Sequence, residues 1–141
     1  MGSEDVMSPE HRTEPLSRRL VERAIRTSVK RYAKGFTEAA ETLAALRLRY
    51  PDVGEPLAAY QCHGRTEVVL LASGILFVTP YPRVIPWDLL GTPSSSEQNE
   101  HLNRIRFDAH DAEFSVMEGD FHQVCPLFYH LARWLREGRT W

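Results

Sequence analysis

The sequence predicts an α+β protein in which an antiparallel sheet is preceded by helices and closed by a C-terminal helix. Three observations favour this fold class. Apolar residues recur at helical spacing between residues 15 and 50, the period falls to about two after Pro51, and helical spacing returns between residues 121 and 135. A chain of 141 residues is long enough for one compact core, so we expect a single domain with an extension.

The first fifty residues divide into a tail and a helical extension. Residues 1–14 carry charge, Pro and Ser without periodicity, which predicts a disordered tail. Residues 15–51 form the extension, in which Ser17 can cap a helix, Gly35 interrupts the pattern and Pro51 ends it. The spacing is compatible with a helical hairpin or with one long helix kinked near Gly35, and it leaves both alternatives open.

The segment 52–141 begins where the periodicity becomes that of a sheet. Ser73 and Gly74 form a turn between two apolar runs, as in a β-hairpin. The Ser-rich segment 91–100 is expected to be a surface loop. The predicted strands comprise residues 57–62, 67–72, 74–79, 83–85, 104–108 and 112–117.

Two of these strands are apolar at every position, at residues 68–71 and 75–78. A strand with one face in water alternates apolar and polar residues, so both faces of these strands should be covered. The C-terminal helix can cover one face. Either the N-terminal helices fold back onto the other face or a second subunit covers it, so a homo-oligomer is an alternative.

The final helix is predicted from its apolar stripe, which Asp120 can cap at the N-terminus. Pro126 is tolerated only near the first turn of a helix, so the regular helix is expected to begin a few residues after Asp120. The stripe comprises Phe121, Val124, Leu127, Phe128, Leu131, Trp134 and Leu135.

The segment 52–138 has four landmarks, which are Gly54-Glu55, the hairpin at 68–78, Arg83-Val84-Ile85-Pro86-Trp87-Asp88 and the helical stripe at 121–135. With these landmarks it resembles a bacterial pleckstrin-homology-like or GRAM-like domain. The resemblance implies a curled antiparallel sheet of six or seven strands with a C-terminal capping helix, and a domain that binds partners or membranes without catalysing a reaction. The helical extension has no counterpart in that family, and the basic loop that binds inositol phosphates in many of its members is missing.

Composition narrows the function classes. A net charge of −2 disfavours a protein that coats nucleic acid. No apolar run approaches the roughly 20 residues that cross a bilayer, and no secretory signal is visible, so a cytoplasmic location is expected. Two cysteines do not form a disulfide framework in a chain of this length.

A stripe of cations on the first predicted helix is the main candidate binding surface. Its members recur every three or four residues, opposite the apolar side of the helix: Arg19, Arg23, Arg26, Lys30 and Lys34. Such a stripe can be a solvated helix face, or it can bind an acidic protein, an anionic membrane or nucleic acid. The apolar side lacks the Trp, Phe and Leu wedge of interfacial helices, which favours a protein partner over a membrane or nucleic acid.

Tyr81 and Trp87 are further candidates for partner binding. Trp87 can be a core landmark of the fold, or, if it is exposed beside Tyr81, an interface anchor. An acidic segment on the last predicted hairpin can be a solvated turn, or it can meet the stripe of cations of a second copy of the chain and so favour self-association. Its members are Asp108, Asp111, Glu113, Glu118 and Asp120.

Metal binding and catalysis have weak support. Cys62, His63, His122 and Cys125 are ligand types that zinc accepts, but adjacent strand residues point to opposite faces and no C-x-x-C pair anchors a site. No phosphate-binding loop, H-E-x-x-H motif or nucleophile beside a base is recognisable. We therefore expect no cofactor and no enzymatic activity, and a zinc-dependent enzyme remains the minor alternative.

Overall fold

The computed structural model describes residues 18–31, 35–79, 81–91, 93–97, 102–107, 111–117 and 120–137. The fold is α+β, with two antiparallel sheets, three α-helices and one 3₁₀ turn at Trp87–Leu89 among these residues. The helices are α1 (Arg18–Arg31), α2 (Ala40–Arg49) and α3 (Phe121–Glu137). The strands are β1 (Phe36–Thr37), β2 (Pro56–Cys62), β3 (Arg65–Leu71), β4 (Gly74–Phe77), β5 (Arg83–Pro86), β6 (Pro93–Glu97), β7 (Leu102–Phe107) and β8 (Ala112–Met117).

The strands form a five-stranded sheet in the order β1-β2-β3-β4-β5 and a three-stranded sheet in the order β6-β7-β8. The sequence predicted one sheet of six or seven strands, and the structure has two sheets instead. The predicted loop at residues 91–100 is wrong, because Pro93–Glu97 pairs with β7. Its Ser-rich sequence shows no apolar alternation, so only the hydrogen-bonded ladder reveals this edge strand.

The N-terminal extension consists of two helices separated by a short strand. Phe36 pairs with Tyr60, and Thr37 pairs with Ala59. Neither a simple hairpin nor one kinked helix describes this arrangement. Gly35 allows it, because its φ is +85° and a Cβ there would collide with the Tyr60 ring.

Both faces of the five-stranded sheet are covered, as the apolar strands predicted. Residues Val68, Leu70, Ile75 and Phe77 belong to the main core, together with side chains of α1, α3 and the three-stranded sheet. The opposite face is covered by α2, whose Leu43 and Leu46 pack with Ala59, Val69, Leu71 and Leu76. The prediction that the N-terminal helices fold back onto their own sheet is therefore confirmed, with α2 in that position.

A β-bulge in β3 allows a hydrogen bond between the two sheets. Tyr60 pairs with Val68 and Gln61 pairs with Thr66, so Glu67 is an extra residue on β3. The Glu67 side chain is buried, and its Oε1 accepts a hydrogen bond of 3.0 Å from the main-chain N–H of Ser115 on β8. The bulge thus turns a carboxylate toward the second sheet.

The helix α3 closes the core. It begins at Phe121, so the expectation that Pro126 delays its start is wrong, and Pro126 lies inside the helix. Val124, Leu127, Phe128 and Leu131 are buried. Phe128 contacts the rings of Phe36, Phe107 and Phe114, with centroid distances of 5.4 to 6.1 Å, so α3 is fixed to both sheets through aromatic packing.

Candidate protein-interaction surface

The helix α1 has one buried side and one cationic side. Val21, Ala24, Ile25 and Val29 are at most 5% exposed and belong to the main core. The cations lie on the exposed side of the same helix. Because an α-helix rises 1.5 Å per residue, the line from the first to the last described cation extends about 16 Å. The exposed cations are Arg19, Arg23, Arg26 and Lys30; Lys34 lies outside the described residues.

These four cations form no ion pair within the described part of the chain. We name them the basic stripe. The neighbouring Arg18 differs, because its guanidinium bonds to Glu22 at 2.7 Å and to Glu55 at 3.0 Å. The fold therefore pairs Arg18 with two acids, whereas the basic stripe has no ion-pair partner among the described residues.

The buried side of α1 decides which ligands the basic stripe can accept. An interfacial helix inserts its apolar side into the acyl boundary of a membrane. In α1 that side packs against the protein core, and it is unavailable to lipid while the fold is intact. Leu20, at 41% exposure, is the one large apolar side chain of α1 that is exposed to solvent. The surface therefore offers charge with little apolar area.

Tyr81 and Trp87 do not belong to this surface. Trp87 is 5% exposed, and its Nε1–H donates a hydrogen bond of 2.8 Å to the main-chain oxygen of Leu71. The interpretation of Trp87 as an exposed anchor is therefore wrong, and it is a core residue. Tyr81 is 57% exposed beside β5. The sheet order separates β5 from β2, next to α1, by three strand spacings, or about 14 Å.

The predicted acidic segment is largely neutralised within the chain. Asp111 pairs with Arg106 at 3.0 Å and Glu113 pairs with Arg104 at 3.4 Å, both across the β7–β8 hairpin. Asp120 is buried and accepts a hydrogen bond from Tyr60. Asp108 and Glu118 lie outside the described residues. The acids of this segment that the structure describes thus form contacts within their own chain. This weakens the case for a second copy binding the basic stripe.

The four candidate zinc ligands do not form a described cluster. Cys62 is buried, whereas His63 is exposed in the following turn with φ of +53°. Cys125 is half-buried, and the side chain of His122 is outside the description. No group of three metal-ligating side chains converges among the described residues. Burial raises the pKa of the Cys62 and Cys125 thiols, so both favour the protonated form, which is a poor nucleophile and a poor ligand.

Two features of the structure were missed by sequence reasoning. Tyr60 and Asp120 form a buried pair, and Arg83 lies against the turn that contains Asp111. Each contact joins residues more than twenty-five positions apart, and no periodicity signals such a pair. The only hint for Arg83 is its position after the aromatic and proline residues at 80–82.

The comparisons place no further constraint on this surface. In the described part of the chain, no helix is both long enough and apolar enough to cross a membrane. No protein-family model, curated protein or solved structure matches this chain.

Proposed function

We propose that this protein is a non-catalytic adaptor or regulatory module that binds an acidic surface of another protein through the basic stripe. One observation carries the proposal: Arg19, Arg23, Arg26 and Lys30 are exposed and have no ion-pair partner among the described residues, on a helix whose apolar side is already used in the core. Like charges four residues apart, as at Arg19 and Arg23 or Arg26 and Lys30, destabilise an isolated helix slightly. An acidic partner removes the repulsion among the cations. The positive charge of the basic stripe also guides that partner to the surface.

Charge alone gives modest affinity. An exposed ion pair contributes about 1 kcal/mol or less, and salt screens it over roughly 10 Å. Four such pairs therefore accelerate association and set orientation more than they hold a complex together. The partner must add apolar contacts, and Leu20, next to Arg19 on the exposed side of α1, is the available apolar side chain.

The proposed fold type is pleckstrin-homology-like. Antiparallel sheets closed by the C-terminal helix α3 support this proposal, and the division of the strands into a five-stranded and a three-stranded sheet departs from the single sheet that the resemblance implies. A domain of that type acts by binding. The protonated state that burial favours in Cys62 and Cys125 also agrees with a non-catalytic role. We propose a cytoplasmic location, since two unpaired cysteines suit a reducing compartment.

Site-specific photo-crosslinking tests the proposal. A photoreactive residue replaces Thr27, which is exposed among the cations, and crosslinking is done in lysate of the host. The test variant is R19E/R23E/R26E. The matched control, R47E/R49E/R65E, changes the net charge equally at three exposed positions outside α1.

The proposal expects a discrete protein adduct that persists in the control variant and disappears in the α1 variant. Equal adducts in both variants would contradict it. Flotation with neutral and anionic vesicles, at low and physiological salt, tests the alternative of a peripheral membrane module. Flotation with anionic vesicles only, without a protein adduct, would replace the protein partner by an anionic lipid surface.

A further inference from the structure

Arg83 lies where the two sheets meet, at the start of the edge strand β5. Its Nη2 donates a hydrogen bond of 3.1 Å to the main-chain oxygen of Asp111, in the turn between β7 and β8. Its guanidinium carbon lies 5.5 Å from the centroid of the Tyr81 ring. The arginine is thus held by a neutral carbonyl and an aromatic face, neither of which neutralises its charge.

The guanidinium of Arg83 is incompletely satisfied. Its Nε is buried and has no hydrogen-bond acceptor among the described residues. The nearby carboxylates that the structure describes are engaged elsewhere, since Asp111 pairs with Arg106 and Glu113 pairs with Arg104. A buried donor without an acceptor costs about 1–3 kcal/mol, and more when the group is charged. Few buried polar groups in native proteins stay unpaired, so this donor calls for an explanation.

We propose that Arg83 binds one carboxylate of an acidic peptide segment, at a site that Tyr81 covers. The Nε–H and one Nη2–H point from the same edge of a guanidinium and match the two oxygens of a carboxylate. One negative charge neutralises the guanidinium of Arg83. A phosphate dianion fits less well, because the Asp111 carboxylate on the neighbouring Arg106 repels a second charge.

Access to this site depends on Tyr81. The Arg83 Nε is out of contact with solvent, so the carboxylate reaches it only after the surrounding side chains shift. The Tyr81 ring lies over the guanidinium and is 57% exposed, so it has room to swing away. Because β5 is the sheet edge opposite β1, this site is separate from the basic stripe.

The Nε–H signal of Arg83 in the NMR spectrum of the ¹⁵N-labelled full chain provides the test. The probe is a short, capped peptide of alternating Asp and Ser, and the control peptide has Asn in place of each Asp, both at constant ionic strength. Arg83→Lys removes the parallel Nε–H and Nη2–H donors (the fork) and keeps the positive charge. Arg104→Lys is the matched control at a neighbouring arginine, and thermal unfolding verifies that both variants fold.

The expected result is a saturable shift of the Arg83 signal with the Asp peptide only. Affinity, read in every variant from the backbone amide shift of Tyr81 because lysine lacks the guanidinium Nε–H, should fall at least about tenfold in Arg83→Lys, as expected for the loss of a charge-assisted fork, and stay unchanged in Arg104→Lys. The absence of saturation, an equal response to the Asn peptide, or unchanged affinity in Arg83→Lys would overturn the proposal. Inorganic phosphate that saturates the site at a lower concentration than the peptide would also overturn it.

Discussion

The hydroxyl of Tyr60 donates a hydrogen bond of 2.8 Å to Oδ2 of Asp120 inside the core. The same hydroxyl accepts a hydrogen bond of 3.1 Å from the main-chain N–H of Met117. One phenol therefore connects the five-stranded sheet, the last strand of the other sheet and the residue that precedes α3. The residue before α3 is thus tied to the core by a side-chain contact that spans sixty positions of the sequence.

Tyr60→Phe should destabilise the fold. The substitution keeps the ring and leaves Asp120, which is 8% exposed, without this donor. We expect the free energy of unfolding in urea to fall by about 1–3 kcal/mol. Tyr81→Phe is the matched control, since that hydroxyl is on an exposed side chain and its loss should change stability little. Equal effects of the two substitutions would contradict a structural role for the buried bond.

Stability should decrease at alkaline pH, and Tyr60 should account for part of the decrease. Burial, the largest cause, raises the pKa of Tyr60 far above its ordinary value of 10.0, and Asp120 raises it further. Above pH 10 the unfolded chain therefore releases a proton that the folded chain keeps, so the free energy of unfolding falls by up to about 1.4 kcal/mol per pH unit. Below pH 10 this contribution is constant.

The measurement is urea unfolding of the wild type and Tyr60→Phe across this range. Cys125, whose pKa burial also raises, affects both proteins equally and cancels in the difference. The wild type should lose its advantage over the variant as the pH rises. Parallel curves would show that Tyr60 ionises alike in both states.

Gly35→Ala should be strongly destabilising. The residue has φ of +85°, and an added Cβ would meet both the Tyr60 ring and the Asp120 carboxylate. Gly54→Ala separates the two causes, because Gly54 has φ of +102° with no atom within 4 Å of the added Cβ. We expect a loss of about 1–2 kcal/mol for Gly54→Ala from backbone strain and a clearly larger loss for Gly35→Ala. Similar unfolding midpoints for the two variants would contradict the close packing at Gly35.

Ser28→Ala should stabilise the protein. Ser28 is fully buried on α1, and its hydroxyl has no hydrogen-bond partner among the described residues. Removal of an unsatisfied hydroxyl and the higher helix propensity of Ala should together add about 1 kcal/mol or more to the free energy of unfolding. Thr27→Ala, at the exposed neighbouring position, reports the propensity gain alone. A destabilised Ser28→Ala variant would show that the hydroxyl has a partner in solution.

Much of the fold could be predicted from periodicity. The apolar runs gave β2 to β5, the alternation around Ile105 and Phe107 gave β7, and the helical stripe gave α3. The strand β6 could not be predicted, because Pro93–Glu97 is polar and only pairing with β7 defines it. The bulge at Glu67 is equally hidden, since an extra residue in a strand leaves no mark on composition.

The candidate surface was only partly predictable. Helical spacing placed Arg19, Arg23, Arg26 and Lys30 on one side of α1. It could not show that Arg18 also pairs with Glu55, thirty-seven positions away, while the basic stripe has no ion-pair partner among the described residues. The sequence gives even less indication that the Nε of Arg83 lacks an acceptor, because this condition results from how β5 packs against Asp111.

The position of α2 changes the meaning of the boundary near residue 52. That boundary marks a change of periodicity, yet Leu43 and Leu46 cover Val69, Leu71 and Leu76 of the sheet that follows it. In a fragment that starts at residue 52, the sheet side chains would be exposed to water, and this apolar surface would promote aggregation. We therefore expect the extension and the sheet to fold as one cooperative unit. A proteolytic cut between them should release an insoluble C-terminal fragment instead of a domain that folds by itself.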